Sequence, residues 1–74
     1  MMSPIIPSVS GKEMIKALEK IGYQYIRTKG SHARLEHPSK PKITVPLHKT
    51  LKLGLALKII KDAGLTANEF KNLL

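Results

Sequence analysis

A short turn signal, Lys29-Gly30-Ser31-His32, is the sequence feature that most constrains the fold. A Gly-Ser pair predicts a two-residue β-turn, because glycine accepts positive φ at little steric cost. Residue runs typical of β-strands lie on both sides of it, at 23–29 and 32–37. We therefore expect a β-hairpin whose second strand begins with a histidine.

The strands after this turn alternate between apolar and polar residues. In the second strand, Ala33 and Leu35 are expected to face the core. The opposite side of that strand then carries His32, Arg34 and Glu36. A third strand is predicted at 42–45, with Ile43 and Val45 facing inward. The pattern predicts a sheet with one buried face and one exposed face.

The first strand is less informative about its faces. Strict alternation places four residues on one side, Tyr23, Tyr25, Arg27 and Lys29. The pattern does not show whether this side or the other faces the core. The turn residues at 38–41 separate the second strand from the third. Strands joined by tight turns pair in antiparallel fashion, so we expect one antiparallel three-stranded sheet.

Helices are predicted on both sides of the strands. Ser10 and Glu13 have the spacing of a capping box, as do Thr66 and Glu69, and each pair predicts the start of a helix. Gly22 suits the end of the first helix. The predicted core face of a second helix at 53–63 comprises Leu53, Ala56, Leu57, Ile60 and Ala63, broadened by Leu55 and Ile59. The last helix is expected to dock Phe70, Leu73 and Leu74 on the core.

The order of elements is α-β-β-β-α, followed by a short C-terminal helix. This order predicts an α+β two-layer fold with the architecture of the double-stranded-RNA-binding domain. A chain of 74 residues allows one domain with a small core. We place this domain at 10–74 and an irregular N-terminal arm, which contains two prolines, at 1–9.

The charge of the chain is concentrated in its middle third. The formal net charge is +8, and between residues 27 and 52 there are seven basic residues and one acidic residue. Such a concentration favours a polyanion partner, most often nucleic acid. The alternative is a soluble surface with many lysines. We expect a cytoplasmic protein, because neither a secretion signal nor an apolar stretch of membrane-spanning length is apparent.

Histidine at the hairpin corner has a chemical use in this setting. Its side chain exchanges protons near neutral pH, and three cationic residues, Arg27, Lys29 and Arg34, lie close to it in the sequence. A proton-transfer group in a positive field suits phosphodiester chemistry. The alternative is a solvated hairpin in which the histidine has no function.

Several motifs together resemble the HicA family, the small toxins of type II toxin–antitoxin pairs. The motifs are Ser10-Gly11-Lys12-Glu13, Ile21-Gly22-Tyr23, Arg27 followed by Gly30-Ser31-His32, His37-Pro38, Val45-Pro46 and Ala63-Gly64-Leu65. They occur in the family's order over nearly the whole chain. The resemblance implies a metal-independent mRNA endoribonuclease with His32 as its catalytic residue. It also implies a HicB-like antitoxin that covers the active site.

The expected site needs no cofactor. Cysteine is absent and the three histidines are scattered, so the sequence predicts no metal site. We expect RNA contacts from Arg27, Lys29, Ser31, Arg34, Lys42, His48, Lys49 and Lys52. Lys49, Lys52 and the start of the second helix form a second candidate anion site.

The remaining polar residues have several possible roles. His48 or water can protonate the leaving oxygen, while His37 is interpreted as a structural corner residue and Glu36 as an ion-pair partner of Arg34. Two other functions stay open. One is a non-catalytic RNA- or DNA-binding module, which would bind with a steep salt dependence and leave RNA intact. The other is an interaction protein that uses the exposed sheet face for a protein partner.

Overall fold

The computed structural model describes residues 6–74. Its helices and strands follow in the order α1 Gly11–Lys20, β1 Gln24–Lys29, β2 His32–Glu36, β3 Ile43–Pro46, α2 Leu53–Asp62 and α3 Ala67–Leu73. This order confirms the predicted α+β layout with a short C-terminal helix. Residues 6–10 have no regular secondary structure, and residues 1–5 of the predicted arm lie outside the described residues.

Capping boxes begin two of the helices, as the sequence predicts. The Glu13 N–H donates to Ser10 Oγ at 3.0 Å, and the Ser10 N–H donates to Glu13 Oε1 at 2.8 Å. Thr66 and Glu69 repeat both bonds at the start of α3. Hydrogen bonds from the backbone and side chain of Thr66 lower the pKa of the Glu69 carboxyl. Each cap stabilises its helix by about 1 kcal/mol.

The sheet has the strand order β1-β2-β3, with every pair antiparallel, so β2 is the central strand. Helices α1 and α2 both contact β3, and α3 packs against both helices. The sheet residues buried beneath them are Ala33, Leu35, Ile43 and Val45. The predicted alternation of β2 and β3 is therefore confirmed, and the residues between these positions face away from the helices.

Strict alternation is wrong for β1, because this strand contains a β-bulge. Tyr25 lies opposite Leu35 and Arg27 lies opposite Arg34, so Ile26 is an extra residue without a partner. One extra residue reverses the side to which the following residues point. Tyr25 is thus on the side of buried Leu35, where its hydroxyl bonds to the hydroxyl of Thr28. The bulge places Arg27 on the exposed face of the sheet.

The ends of the core differ from the prediction. Leu53 is 51% exposed and Leu74 is 49% exposed, although both were expected to pack inward. Leu53 begins α2 at the margin of the core, and Leu51 fills the core just before it. The N-terminal segment contributes the buried side chain of Val9, whose carbonyl accepts the Leu51 N–H at 2.8 Å. Within residues 6–74, no helix is long and apolar enough to cross a membrane.

Tyr23 closes the core at the end of the sheet. Its ring is buried, and its hydroxyl donates to the carbonyl of Pro41 at 2.8 Å. Burial raises the pKa of the Tyr23 hydroxyl above its ordinary value, and the negative charge of Asp62 adds to this shift. The bond to Pro41 fastens the start of β1 to the loop between β2 and β3.

Candidate active site and nucleic-acid interface

The β1–β2 turn has the two-residue form that its sequence predicts. Lys29 lies directly opposite His32, which leaves only Gly30 and Ser31 in the turn. Gly30 has φ +61°, a value that glycine adopts without strain, whereas the φ of Ser31 is not positive. The Leu47 N–H donates to the Ser31 carbonyl at 2.7 Å and ties the turn to the segment after β3. This bond holds the exposed His32 at a defined place.

A shallow cleft of about 240 Å³ surrounds this histidine on the exposed face of the sheet. It is lined by Arg27, Lys29, His32, Arg34 and Thr44, and we call it the His32 cleft. All three strands contribute to the cleft, and Arg34 lies between its partners Arg27 on β1 and Thr44 on β3. The structure therefore brings together four residues that the sequence analysis selected.

Like charges are closely spaced in the His32 cleft. Arg27 and Arg34 are directly opposite each other across the strands, an arrangement that destabilises a sheet. No acidic residue of the described chain lines the cleft. Because the protein supplies no carboxylate there, an anionic ligand would relieve the repulsion. The cleft has the composition of a phosphate-binding site.

The predicted ion pair between Glu36 and Arg34 is wrong. Glu36 instead lies 3.9 Å from Lys42, measured from Oε2 to Nζ. The register that pairs Leu35 with Ile43 brings Glu36 and Lys42 opposite each other at the next position. Glu36 thus balances the charge of Lys42. The charge of Arg34 is not paired with Glu36 and contributes to the positive charge of the cleft.

Sequence reasoning missed Thr44, which lines the cleft beside Arg34. The signal was present in β3, since Ile43 and Val45 face inward and the residue between them must face outward. The Thr44 hydroxyl is able to donate or accept a hydrogen bond. Residues 6–74 contain no group of three or more His, Cys, Asp or Glu side chains that could hold a metal ion.

Comparison with known proteins identifies the family. A family model described as the HicA toxin of bacterial toxin–antitoxin matches residues 11–65, which is most of the chain and includes the whole His32 cleft. The chain belongs to the HicA toxin family. A solved toxin–antitoxin complex from Streptococcus pneumoniae contains a similar chain, with 38% identity and a TM-score of 0.69. The match covers 77% of this chain and 98% of that one. Curated protein sequences give no significant match.

A second cleft of this HicA-family chain contains two of the other predicted RNA contacts. It measures about 320 Å³ and is lined by Ser10, Lys12, Leu47, His48 and Lys49. We call it the Lys12 cleft. His48 was considered as a proton donor to the leaving group, and the structure places it in this cleft rather than among the residues around His32. Lys52, the N-cap residue of α2, is exposed and lines neither cleft.

His37, just after the end of β2, is held in place by hydrogen bonds and ring packing. Its Nδ1 accepts the Ser39 N–H at 3.0 Å, which leaves Nε2 to donate to the Ile21 carbonyl, also at 3.0 Å. The ring packs against Tyr23 with the centroids 5.0 Å apart. Both ring nitrogens are therefore engaged by the fold, as expected for a corner residue. Of the three histidines, His32 is the one that lies in the cationic cleft of the sheet.

Proposed function

We propose that this chain is the mRNA-cleaving toxin of a type II toxin–antitoxin pair, with His32 as its catalytic base. The proposal includes independence from metal ions and other cofactors, action in the cytoplasm, and inhibition by a HicB-like antitoxin. One observation carries it. An exposed histidine shares a cleft with three cationic side chains, and no acidic residue among residues 6–74 lines this cleft.

The reaction uses the nucleophile that RNA itself contains. His32 removes the proton of a ribose 2′-hydroxyl, and the 2′-oxygen forms a bond to the adjacent phosphorus. The bond from phosphorus to the 5′-oxygen breaks, which leaves a 2′,3′-cyclic phosphate and a 5′-hydroxyl end. A water molecule supplies the proton that the leaving oxygen takes up, and the hydroxide that remains accepts the proton held by His32, which restores the neutral base. Positioned proton transfer of this kind contributes about 10²–10⁴-fold to a rate.

The geometry of the sheet suits this chemistry. Directly opposite residues have Cα atoms about 4.5–5.5 Å apart, and this relation joins Lys29 to His32. Arg34 follows His32 on the same face, about 6.5–7 Å further along the strand. A phosphate between these side chains would lie within reach of the base and of two cations. Their positive charge would stabilise the additional negative charge of the transition state.

An antitoxin partner is supported by the structural comparison. The similar solved chain belongs to a structure described as a toxin–antitoxin complex. The exposed sheet face of this chain carries a cluster of cationic side chains, which an acidic protein surface would complement. An antitoxin bound there would exclude RNA from the His32 cleft and would thereby inhibit cleavage.

The proposed activity is tested with purified protein, an mRNA substrate and the variant His32→Ala. We expect the variant to cleave about 10²–10⁴-fold more slowly, and the parent protein to keep its rate in excess EDTA. Binding of a 2′-O-methyl RNA, which lacks the nucleophile, measures RNA affinity separately. We expect both proteins to bind this RNA, because the three cations of the cleft remain.

Different results would reject the proposal in different ways. Equal cleavage by the parent and His32→Ala would exclude His32 as the base. A parent protein that binds RNA with a steep salt dependence and never cleaves it would be a non-catalytic RNA-binding module, the alternative that the same cationic cleft supports. Lack of RNA binding at low salt would indicate a protein-interaction domain.

A further inference from the structure

We propose that the Lys12 cleft binds a second phosphate group of the RNA chain whose scissile phosphate lies in the His32 cleft. This inference rests on the proposed function and specifies how a longer substrate is held. It assigns a role to Lys12, which the sequence analysis did not select as an RNA contact. It also gives His48 and Lys49 a site distinct from the reaction centre.

The Lys12 cleft is assembled by contacts between segments that are distant in the sequence. The Gly11 N–H donates to the His48 carbonyl at 2.9 Å, which holds the loop after β3 against the start of α1. A Cβ atom at position 11 would lie 2.1 Å from the Pro46 carbonyl oxygen, so only glycine permits this approach. As a result, Lys12 on α1 and Lys49 on the loop line one cleft.

Charge favours an anion in this cleft. The ion pairs within residues 6–74 join Lys42 to Glu36 and Lys58 to Asp62, so Lys12 and Lys49 have no carboxylate partner there. The nearby acid Glu13 does not line the cleft, and its carboxylate accepts the Ser10 N–H in the capping box. The first turn of α1 is not the basis of the site, because its N–H groups at positions 11 and 13 already donate within the protein.

The two clefts are close enough for one short stretch of RNA to reach both. His32 lies opposite Pro46, which corresponds to a Cα separation of about 5 Å. His48 follows Pro46 by two residues, and two residues span at most about 7.6 Å. The Cα atoms of His32 and His48 are therefore at most about 13 Å apart. At the axial rise of about 3.4 Å per nucleotide in a double helix, this upper limit corresponds to at most about four nucleotides, and an extended single strand would need fewer.

Substrate length provides the test. An octanucleotide can occupy both clefts, whereas a dinucleotide has a single internal phosphate. Both ligands are used as 2′-O-methyl RNA, so binding is measured without cleavage and without reference to the catalytic residue. Fluorescence anisotropy over a series of salt concentrations follows the octanucleotide, and an NMR titration follows the dinucleotide. The proteins are full-length chains.

The variant that tests the inference is Lys12→Gln combined with Lys49→Gln. We expect it to weaken octanucleotide binding about tenfold at 0.1 M salt, and to reduce the slope of log K against log salt by about 0.7, the contribution of one phosphate contact to a single strand. The ratio of octanucleotide to dinucleotide affinity should fall accordingly. The control, Lys61→Gln with Lys71→Gln, makes the same change in net charge with residues that line neither cleft, and it should leave this ratio at the parent value.

Two results would overturn the inference. One is an octanucleotide affinity and salt slope equal to those of the Lys61 and Lys71 control. The other is an equal loss of affinity for both ligands, which would show that the lysines affect the first phosphate or the fold. Cleavage of unmodified RNA is measured separately. A length-dependent effect in a protein that never cleaves RNA would support the second phosphate site while rejecting the proposed nuclease.

Discussion

The two faces of the sheet are built from neighbouring residues and have opposite properties. On β2, Leu35 is fully buried under the helices, whereas Arg34, one residue before it, is exposed beside Arg27. The buried residues of the described chain are apolar apart from the hydroxyl of Tyr23, which donates to Pro41, and no buried side-chain nitrogen or oxygen lacks a hydrogen-bond partner. The side chains of the covered face therefore find all their packing and hydrogen-bond partners within the protein.

The exposed face, by contrast, carries positive charges without negatively charged partners among residues 6–74 in the His32 cleft. Two arginines oppose each other in the His32 cleft, and no acidic residue of the described chain lines it. The repulsion between these like charges lowers the stability of the fold. A bound polyanion would neutralise them and raise the stability again. One strand can therefore serve both folding and binding, because alternation places successive residues on opposite faces of the sheet. Substitutions on the two faces should therefore have opposite effects.

The largest effect is expected on the covered face. Leu35→Ala removes a side chain that is completely buried, so the unfolding free energy should fall by about 2–5 kcal/mol. Urea denaturation followed by circular dichroism measures this change. If the variant were as stable as the parent protein, Leu35 would not belong to the core, and the contrast between the faces would be lost.

A smaller effect is expected at Tyr23, where the covered face ends. Tyr23→Phe loses the hydrogen bond to Pro41 and should cost about 1 kcal/mol at pH 8. The raised pKa of Tyr23 adds a pH dependence. Below about pH 10, the ordinary pKa of tyrosine, the hydroxyl is protonated in both states and its contribution to stability is complete. Above that pH the unfolded chain loses the proton first, so stability falls until the pH has passed the folded pKa.

The parent protein should therefore lose stability above pH 10 more steeply than Tyr23→Phe, by at most about 1.4 kcal/mol per pH unit. Urea denaturation at pH 8 and pH 11 compares the two proteins. The lysines titrate in the same range, but both proteins contain all of them, so their effect cancels in the difference. An identical loss in both proteins would show that Tyr23 has no raised pKa.

The smallest effect, of opposite sign, is expected on the exposed face. Arg34→Gln removes the like charge opposite Arg27 and should increase the unfolding free energy by about 0.2–1 kcal/mol at low salt. The gain should shrink in 1 M salt, where charges are screened within about 3 Å. The same variant should bind RNA more weakly. A loss of stability at low salt would mean that Arg34 stabilises the fold. The exposed face would then contribute to folding as the covered face does.

Much of the fold and part of the site follow from local patterns in the sequence. The two capping boxes, the Gly30-Ser31 turn and the alternation of β2 all depend on residues within a few positions of one another. These patterns correctly predicted a hairpin with His32 at its corner on an exposed face. Thr44 was equally predictable, because its neighbours on β3 both face the core.

Other features depended on the register between paired strands. The bulge at Ile26 exists because β1 and β2 align with one extra residue, and it brings Arg27 to the same face as Arg34. The register between β2 and β3 likewise places Glu36 beside Lys42, with which it forms an ion pair. Neither feature follows from alternation within one strand, since each is set by the register between two paired strands.

The sequence by itself determined the order of elements, the concentration of positive charge and the position of His32 at the turn. Only the tertiary structure decided that Arg27 lies on the same face as this histidine, and that His48 and Lys49 line a different cleft together with Lys12. The physical reason is the range of the interactions involved. Turns, caps and alternation act between near neighbours, whereas a cleft forms where remote segments meet, as Gly11 and His48 do through a single backbone hydrogen bond.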